Sequence, residues 1–139
     1  YNLQGIEVLH HSEYIERLVK SGRISPVHKN TRLTYHDPCE LGRGCGVYEA
    51  PRNVLRAAAT LLEPAQNRED ALCCGASLSA TTLSNKQQTA IARDMTAQLQ
   101  ATGAEAIVTA CPLCKKTIAR QTDRPVLDIA EVISGSLKS

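Results

Sequence analysis

The chain has 139 residues, a formal charge of +2, no Phe, no Trp and four Tyr. That length fits one ordinary domain, and its core must be built from aliphatic side chains. Basic and acidic residues are interspersed without a Lys/Arg stripe or aromatic stacking platforms, and the apolar runs are short, which argues against a nucleic-acid surface and a membrane span.

The first predicted element is a short amphipathic helix. Ile15, Leu18 and Val19 share one face of it, Ser12 is placed to cap its start, and Gly22 stops it. Pro26 opens a connector, after which Arg32 to His36 alternates as a strand does and runs into a turn at Asp37-Pro38-Cys39. Pro51 suits the first turn of a second helix, which carries Val54, Leu55 and Ala58 and is extended here to Leu61-Leu62. Ala71 to Cys74 reads as a short strand ending at Gly75. Leu83 to Thr102 reads as the longest helix, with Ile91, Met95 and Leu99 as a core stripe and Gly103 as its stop. Ala104 to Ala110 is the clearest strand, followed by a helix opened by Pro112 and running through Ile118. Asp128 and Glu131 have capping-box spacing, and Leu127 and Val132 that of a hydrophobic staple, for a last helix ending at Gly135.

Strands alternating with helices predict an α/β fold, a mainly parallel sheet flanked by helices. The expected organisation is one domain over 1–139: a leader with one helix (1–30), a cysteine-bearing region (31–120) and a C-terminal helix (121–139). Ligands in such folds gather beyond the carboxyl ends of the strands. Cys39, Cys73-Cys74 and Cys111 each follow a predicted strand, so the cysteine site is expected at that edge.

Six cysteines are many for this length. They are grouped, and adjacent Cys73 and Cys74 bring two sulfurs to one point, so metal or redox chemistry is favoured over a disulfide framework. Thiolates are soft donors that hold iron–sulfur clusters or zinc when several converge. The Cys111-Pro112-Leu113-Cys114 spacing alone is equally that of a zinc knuckle or a thiol–disulfide exchange site. Joined to Cys73-Cys74-Gly75 and Asp37-Pro38-Cys39, it points to one shared centre. Cys45, in Arg43-Gly44-Cys45-Gly46, is read as a spectator thiol. His36 is read as a packed strand-end residue and Asp37 as a turn cap, while His10, His11 and His28 are read as surface residues. Arg43 and Arg52 are candidates to balance an anionic centre, against the alternative of solvated surface arginines.

Tyr35-His36-Asp37-Pro38-Cys39, Gly46 to Arg52, Cys73-Cys74-Gly75 and Thr109 to Cys114 together resemble the cysteine-rich CCG domain. That domain occurs in heterodisulfide reductases and in the iron–sulfur components of glycolate, lactate and glycerol-3-phosphate oxidising enzymes. The gaps of 33 residues from Cys39 to Cys73 and 36 from Cys74 to Cys111 fit its pattern. The resemblance implies that Cys39, Cys73, Cys74, Cys111 and Cys114 hold an iron–sulfur cluster, a non-cubane [4Fe-4S] centre in heterodisulfide reductase, with a structural zinc as the alternative. It implies electron transfer within a heterodisulfide reductase-like oxidoreductase, beside other iron–sulfur or flavin subunits, in the cytoplasm or at the membrane through those partners. Family proteins carry two such domains, so the chain is expected to be a C-terminal fragment that need not be active alone. One departure stands out: relatives continue after Gly75 with more glycine, where this chain has Ala76-Ser77-Leu78-Ser79.

Overall fold

The computed structural model describes residues 4–76 and 82–137. Its centre is a four-stranded sheet, all parallel, in the order β2-β1-β3-β4. The strands are β1 (Arg32–His36), β2 (Thr60–Leu62), β3 (Ala106–Thr109) and β4 (Val126–Asp128). The helices are α1 (His11–Lys20), α2 (Glu49–Ala58), α3 (Asn85–Gln100), α4 (Pro112–Ala119) and α5 (Ile129–Ser134). The α/β class read from the sequence is the observed one.

Both faces of the sheet are covered, as a parallel sheet requires. Leu33 and Tyr35 of β1 and Val108 of β3 pack with Val54, Leu55 and Ala58 of α2 and Ile129 and Ile133 of α5. On the other face Ile107 of β3 packs with Met95 and Leu99 of α3 and Ile118 of α4. The period-two alternation of strand side chains sorts them between these two layers. Ile91, read as core with Met95 and Leu99, is the exposed end of its stripe.

Three local expectations are corrected. α1 is capped by His10, not Ser12: the Ser12 amide donates to His10 Nδ1 (3.2 Å) and the His10 amide donates to Glu13 Oε2 (2.9 Å). That is a capping box with an imidazole as acceptor. Leu61 and Leu62 belong to β2, because Ala59 is fully extended (φ −159°, ψ 173°) and turns the chain straight from helix into pairing with β1. Ala71 to Cys74 is irregular, not a strand. Its carbonyls are taken by side chains: Arg43 Nη1 donates to Ala71 O (2.6 Å), and His36 Nε2 donates to Leu72 O (3.2 Å). The capping box at Ser84 and Gln87, and that at Asp128 and Glu131, start α3 and α5.

The strand order places a switch point in the middle of the sheet. From β1 the chain steps outward to β2, then returns past β1 to β3 on its other side. The loops leaving β1 and β3 therefore diverge, and a crevice opens between them at the carboxyl edge. Cys39 lies just after β1, and Cys111 caps the helix that follows β3.

Candidate metal centre

Three segments bring the cysteines to this crevice. After β1, Asp37-Pro38 leads into a π-helical turn, Glu40–Gly44, for which Cys39 is the residue before the first and Cys45 the residue after the last. After β3, Cys111 is the N-cap of α4 and Cys114 lies in its first turn, with Pro112 at the start of the helix. The third segment, 71–76, carries Cys73 and Cys74 and ends at Gly75, whose φ of +78° only glycine adopts without strain. A Cβ on Gly75 would stand 3.1 Å from Ile91 Cγ2, so the segment is pressed against α3.

The sulfurs meet in pairs. Cys74 Sγ lies 3.3 Å from Cys114 Sγ, and Cys73 Sγ lies 3.9 Å from Cys39 Sγ. The Gly75 amide donates to Cys73 Sγ at 3.4 Å. Cys39, Cys74, Cys111 and Cys114 line one cavity of about 680 Å³, with Leu9, Leu41, Val47 and Leu113 among its apolar walls. Cys45 is exposed and lines the same cavity, and like Cys111 it makes neither of these sulfur contacts. Among the described residues, no three His, Cys, Asp or Glu side chains converge on a point tightly enough to hold a single ion. Four of the five candidate thiols border the cavity, and Cys73, outside its lining, reaches the group through Cys39.

The electrostatics follow from crowding and burial. The neighbouring Cys74 thiol, then burial, pushes Cys73 far above the ordinary thiol range. The contact with Cys114, together with burial, pushes Cys74 up to about 12. Burial and then Cys73 raise Cys39. Each of these thiolates would sit beside another sulfur, which disfavours the charged form. A bound cationic centre reverses that balance and makes the thiolates the stable form. The soft donors, the cavity and this unmet demand for positive charge all fit an iron–sulfur group.

The remaining residues hold the loops. Arg52 is completely buried and donates from Nη1 and Nη2 to the two oxygens of Asp37, each at 2.7 Å, and from Nε and Nη2 to Glu63 (2.9 and 3.0 Å). Asp37 Oδ2 also accepts from the Arg68 amide (2.9 Å). Arg52 is thus neither a surface arginine nor a neighbour of the cavity. Its partner Asp37 does more than cap a turn, since it ties the β1 exit to α2 and to the 67–70 loop. Arg43 likewise spends its guanidinium on the carbonyls of Glu69 and Ala71, clamping the segment that leads to Cys73.

His36 is buried, and burial lowers it to about 4. The bond from Nε2 to Leu72 O leaves Nδ1 as an acceptor for the Thr109 hydroxyl (3.3 Å), so the neutral ring bridges β1, β3 and the Cys73-Cys74 segment. It is the packed residue the sequence suggested. His28 is exposed, as expected. His11 is half-buried, with Nε2 3.6 Å from Asp128 Oδ1. His10 is not a surface residue: it lines the cavity wall, held there by its capping role. Sequence reading missed it, although Glu13 three residues later carries the capping-box signal. Of the departure at 76–79, only Ala76 lies within the described residues.

A thiol-lined cavity at the switch point of a small parallel α/β sheet defines a class of metal-binding redox domain. The sequence pattern of the cysteine-rich domain family CCG matches residues 33–119, well over half of the chain, and the chain belongs to that family. It is 36% identical over 143 residues to the EtfAB:quinone oxidoreductase of Syntrophomonas wolfei, covering 91% of this chain and 20% of that protein. It is 38% identical to a probable membrane-anchored ferredoxin of Chromohalobacter salexigens, over 94% of this chain and 21% of the relative. It is 31% identical to one component of the dihydromethanophenazine:CoB–CoM heterodisulfide reductase of Methanosarcina barkeri, over 94% of this chain and 34% of the relative. The chain therefore spans about a fifth to a third of the length of these curated relatives. No helix among the described residues is long and apolar enough to cross a membrane.

Proposed function

We propose that this chain is an iron–sulfur electron-transfer module of a larger oxidoreductase of the heterodisulfide reductase type, with Cys39, Cys73, Cys74, Cys111 and Cys114 as the cluster ligands. The observation that carries the reading is the meeting of two sulfur pairs, Cys39 with Cys73 and Cys74 with Cys114, at the crevice between β1 and β3. The family membership and the iron–sulfur and oxidoreductase names of the relatives support it.

An iron–sulfur cluster in the cavity supplies one-electron chemistry that no side chain of this composition offers. The chain's own part is to hold, tune and shield it. The five thiols give up their protons on loading, so uptake is coupled to proton release. The Gly75 amide donates to Cys73 sulfur, a contact of the kind that raises a cluster's potential. Leu9, Leu41, Val47 and Leu113 lower the local dielectric and limit water. The Arg43 and His36 bonds fix the 71–76 backbone, so the ligand positions are set before the cluster arrives.

The finer form of the proposal is a non-cubane [4Fe-4S] centre. Five candidate thiols, one more than a tetrahedral zinc takes, favour a multi-iron centre over a single zinc. The electrons pass to or from other iron–sulfur or flavin domains, inside the cell and at the membrane only through those partners. Anaerobic reconstitution with iron and sulfide tests the reading. About four irons per chain with matching sulfide and visible absorbance are expected. One tightly held zinc per chain, with no absorbance and no iron uptake, would establish the structural alternative.

A further inference from the structure

We propose that the metal-free chain carries a specific oxidation site: peroxide links Cys74 to Cys114 as a disulfide, and not Cys111 to Cys114. Spacing alone nominates the opposite pair, because Cys-x-x-Cys at a helix start is the usual redox arrangement. Here Cys111 is the cap of α4 and Cys114 sits in its first turn, but the sulfur in contact with Cys114 is that of Cys74, 3.3 Å away.

Closing that contact to a bond of about 2.05 Å takes little movement. A change of side-chain torsion at Cys74 or Cys114 supplies it, while Arg43 and His36 hold the backbone of the 71–76 segment in place. Both residues are buried (3% and 4% exposed) but border the cavity of about 680 Å³, which gives a small peroxide a route to them. Cys74 also borders a second cleft of about 420 Å³ on its α3 side.

The chemistry balances with hydrogen peroxide as the oxidant. Cys114 attacks the peroxide as its thiolate and becomes a sulfenic acid, and the hydroxide that leaves takes up the proton Cys114 released, as water. Cys74, held protonated by its contact with Cys114 and by burial, is the second thiol. The partner thiol then displaces the hydroxyl as a second water, and the S–S bond forms. Two thiol hydrogens and two electrons pass to one peroxide. A disulfide sulfur is no longer a thiolate, so two of the five candidate donors are withdrawn together. Reduction by a dithiol returns both.

The test uses the full chain as Cys45→Ser, which removes the exposed thiol from the background. The metal-free protein is treated anaerobically with stoichiometric hydrogen peroxide, alkylated and mapped by tandem mass spectrometry that separates Cys73 from Cys74. A Cys74–Cys114 linkage, the loss of two titratable thiols and an alkylated Cys111 are expected. A Cys111–Cys114 or Cys73–Cys74 linkage, or unreacted Cys74 and Cys114, would overturn the proposal. Cys74→Ser is the second check: it should remove the dominant linkage and leave Cys114 open to alkylation, and a Cys111–Cys114 bond forming there at the wild-type rate would also count against it. Iron uptake by untreated protein is measured in parallel. Uptake without the linkage refutes this inference alone, and the linkage without uptake refutes the cluster reading alone.

Discussion

The guanidinium of Arg52, with no solvent exposure, makes two parallel 2.7 Å bonds to the carboxylate of Asp37, two residues before the first cysteine of the site. Burial works against the Arg52 charge, but Asp37 and Glu63 more than offset it and hold Arg52 above the usual guanidinium range. The Tyr35 ring lies against it, 5.3 Å from ring centroid to guanidinium carbon. Removing one member leaves the other charge buried without a partner, which costs about 3–5 kcal/mol. Arg52→Met is expected to lower stability by that amount in urea unfolding. A loss under about 1 kcal/mol would contradict a buried pair at this position.

His36 gives the metal-free chain an acid-side weakness. In the folded chain burial holds the ring neutral down to about pH 4, whereas the unfolded ring takes its proton near 6.5. Between those values the unfolded state binds more protons, so stability is lost as pH falls through the window and is fully present above it. The accumulated loss reaches about 3 kcal/mol near pH 4. His10, lowered first by burial and then by His11, acts in the same direction. Stability of His36→Gln measured from pH 7 to 4 should therefore fall less steeply than wild type. Equal slopes would show that His36 is not the group responsible.

Gly75 tests the backbone under the cysteine pair. An alanine there must hold a left-handed φ and meet Ile91 Cγ2 at 3.1 Å. Gly75→Ala is expected to lose about 1–2 kcal/mol from the backbone conformation alone, with a further fall in iron retained after reconstitution. Shortening Ile91 as well (Gly75→Ala with Ile91→Ala) should recover part of the iron binding, since it removes the contact but not the strain. No loss in the single variant would mean that the turn is not held as described.

Much of this was legible in the sequence, for identifiable reasons. The cap-and-stop chemistry of α5 and the apolar run of β3 are local signals, and both elements stand where they were expected. The cysteine groups were legible because their spacing is a pattern in itself. What failed was non-local. Leu61 and Leu62 continue a helical period from Ala58, and only their pairing with Leu33 and Thr34 makes them a strand. Ala71 to Cys74 looks like a strand because its residues are apolar, yet its carbonyls are satisfied by Arg43 and His36 from elsewhere in the chain. The same limit hid the Arg52–Asp37 pair and the place of His10 in the cavity wall, since neither follows from any periodicity.

Arg43 separates ligand geometry from global stability. Its two bonds run to the carbonyls of Glu69 and Ala71, two residues before Cys73. Arg43→Met removes two side-chain bonds at an exposed edge, where solvent screens most of their contribution to global stability. The segment should loosen, with faster amide exchange at 71–74 and lower iron retention, while far-ultraviolet circular dichroism stays that of wild type. Unchanged exchange at those amides would show that the clamp does not set the cysteine positions.

The central claim is that five thiols form one centre and the sixth does not. Six single Cys→Ser variants, reconstituted anaerobically with iron and sulfide and examined by iron counting and electron paramagnetic resonance after reduction, address it directly. Cys39, Cys73, Cys74, Cys111 and Cys114 variants should each lose or visibly alter the signal, and Cys45→Ser should match wild type. A chain in which Cys45 is required, or in which both Cys74→Ser and Cys114→Ser retain the wild-type signal, would contradict the account.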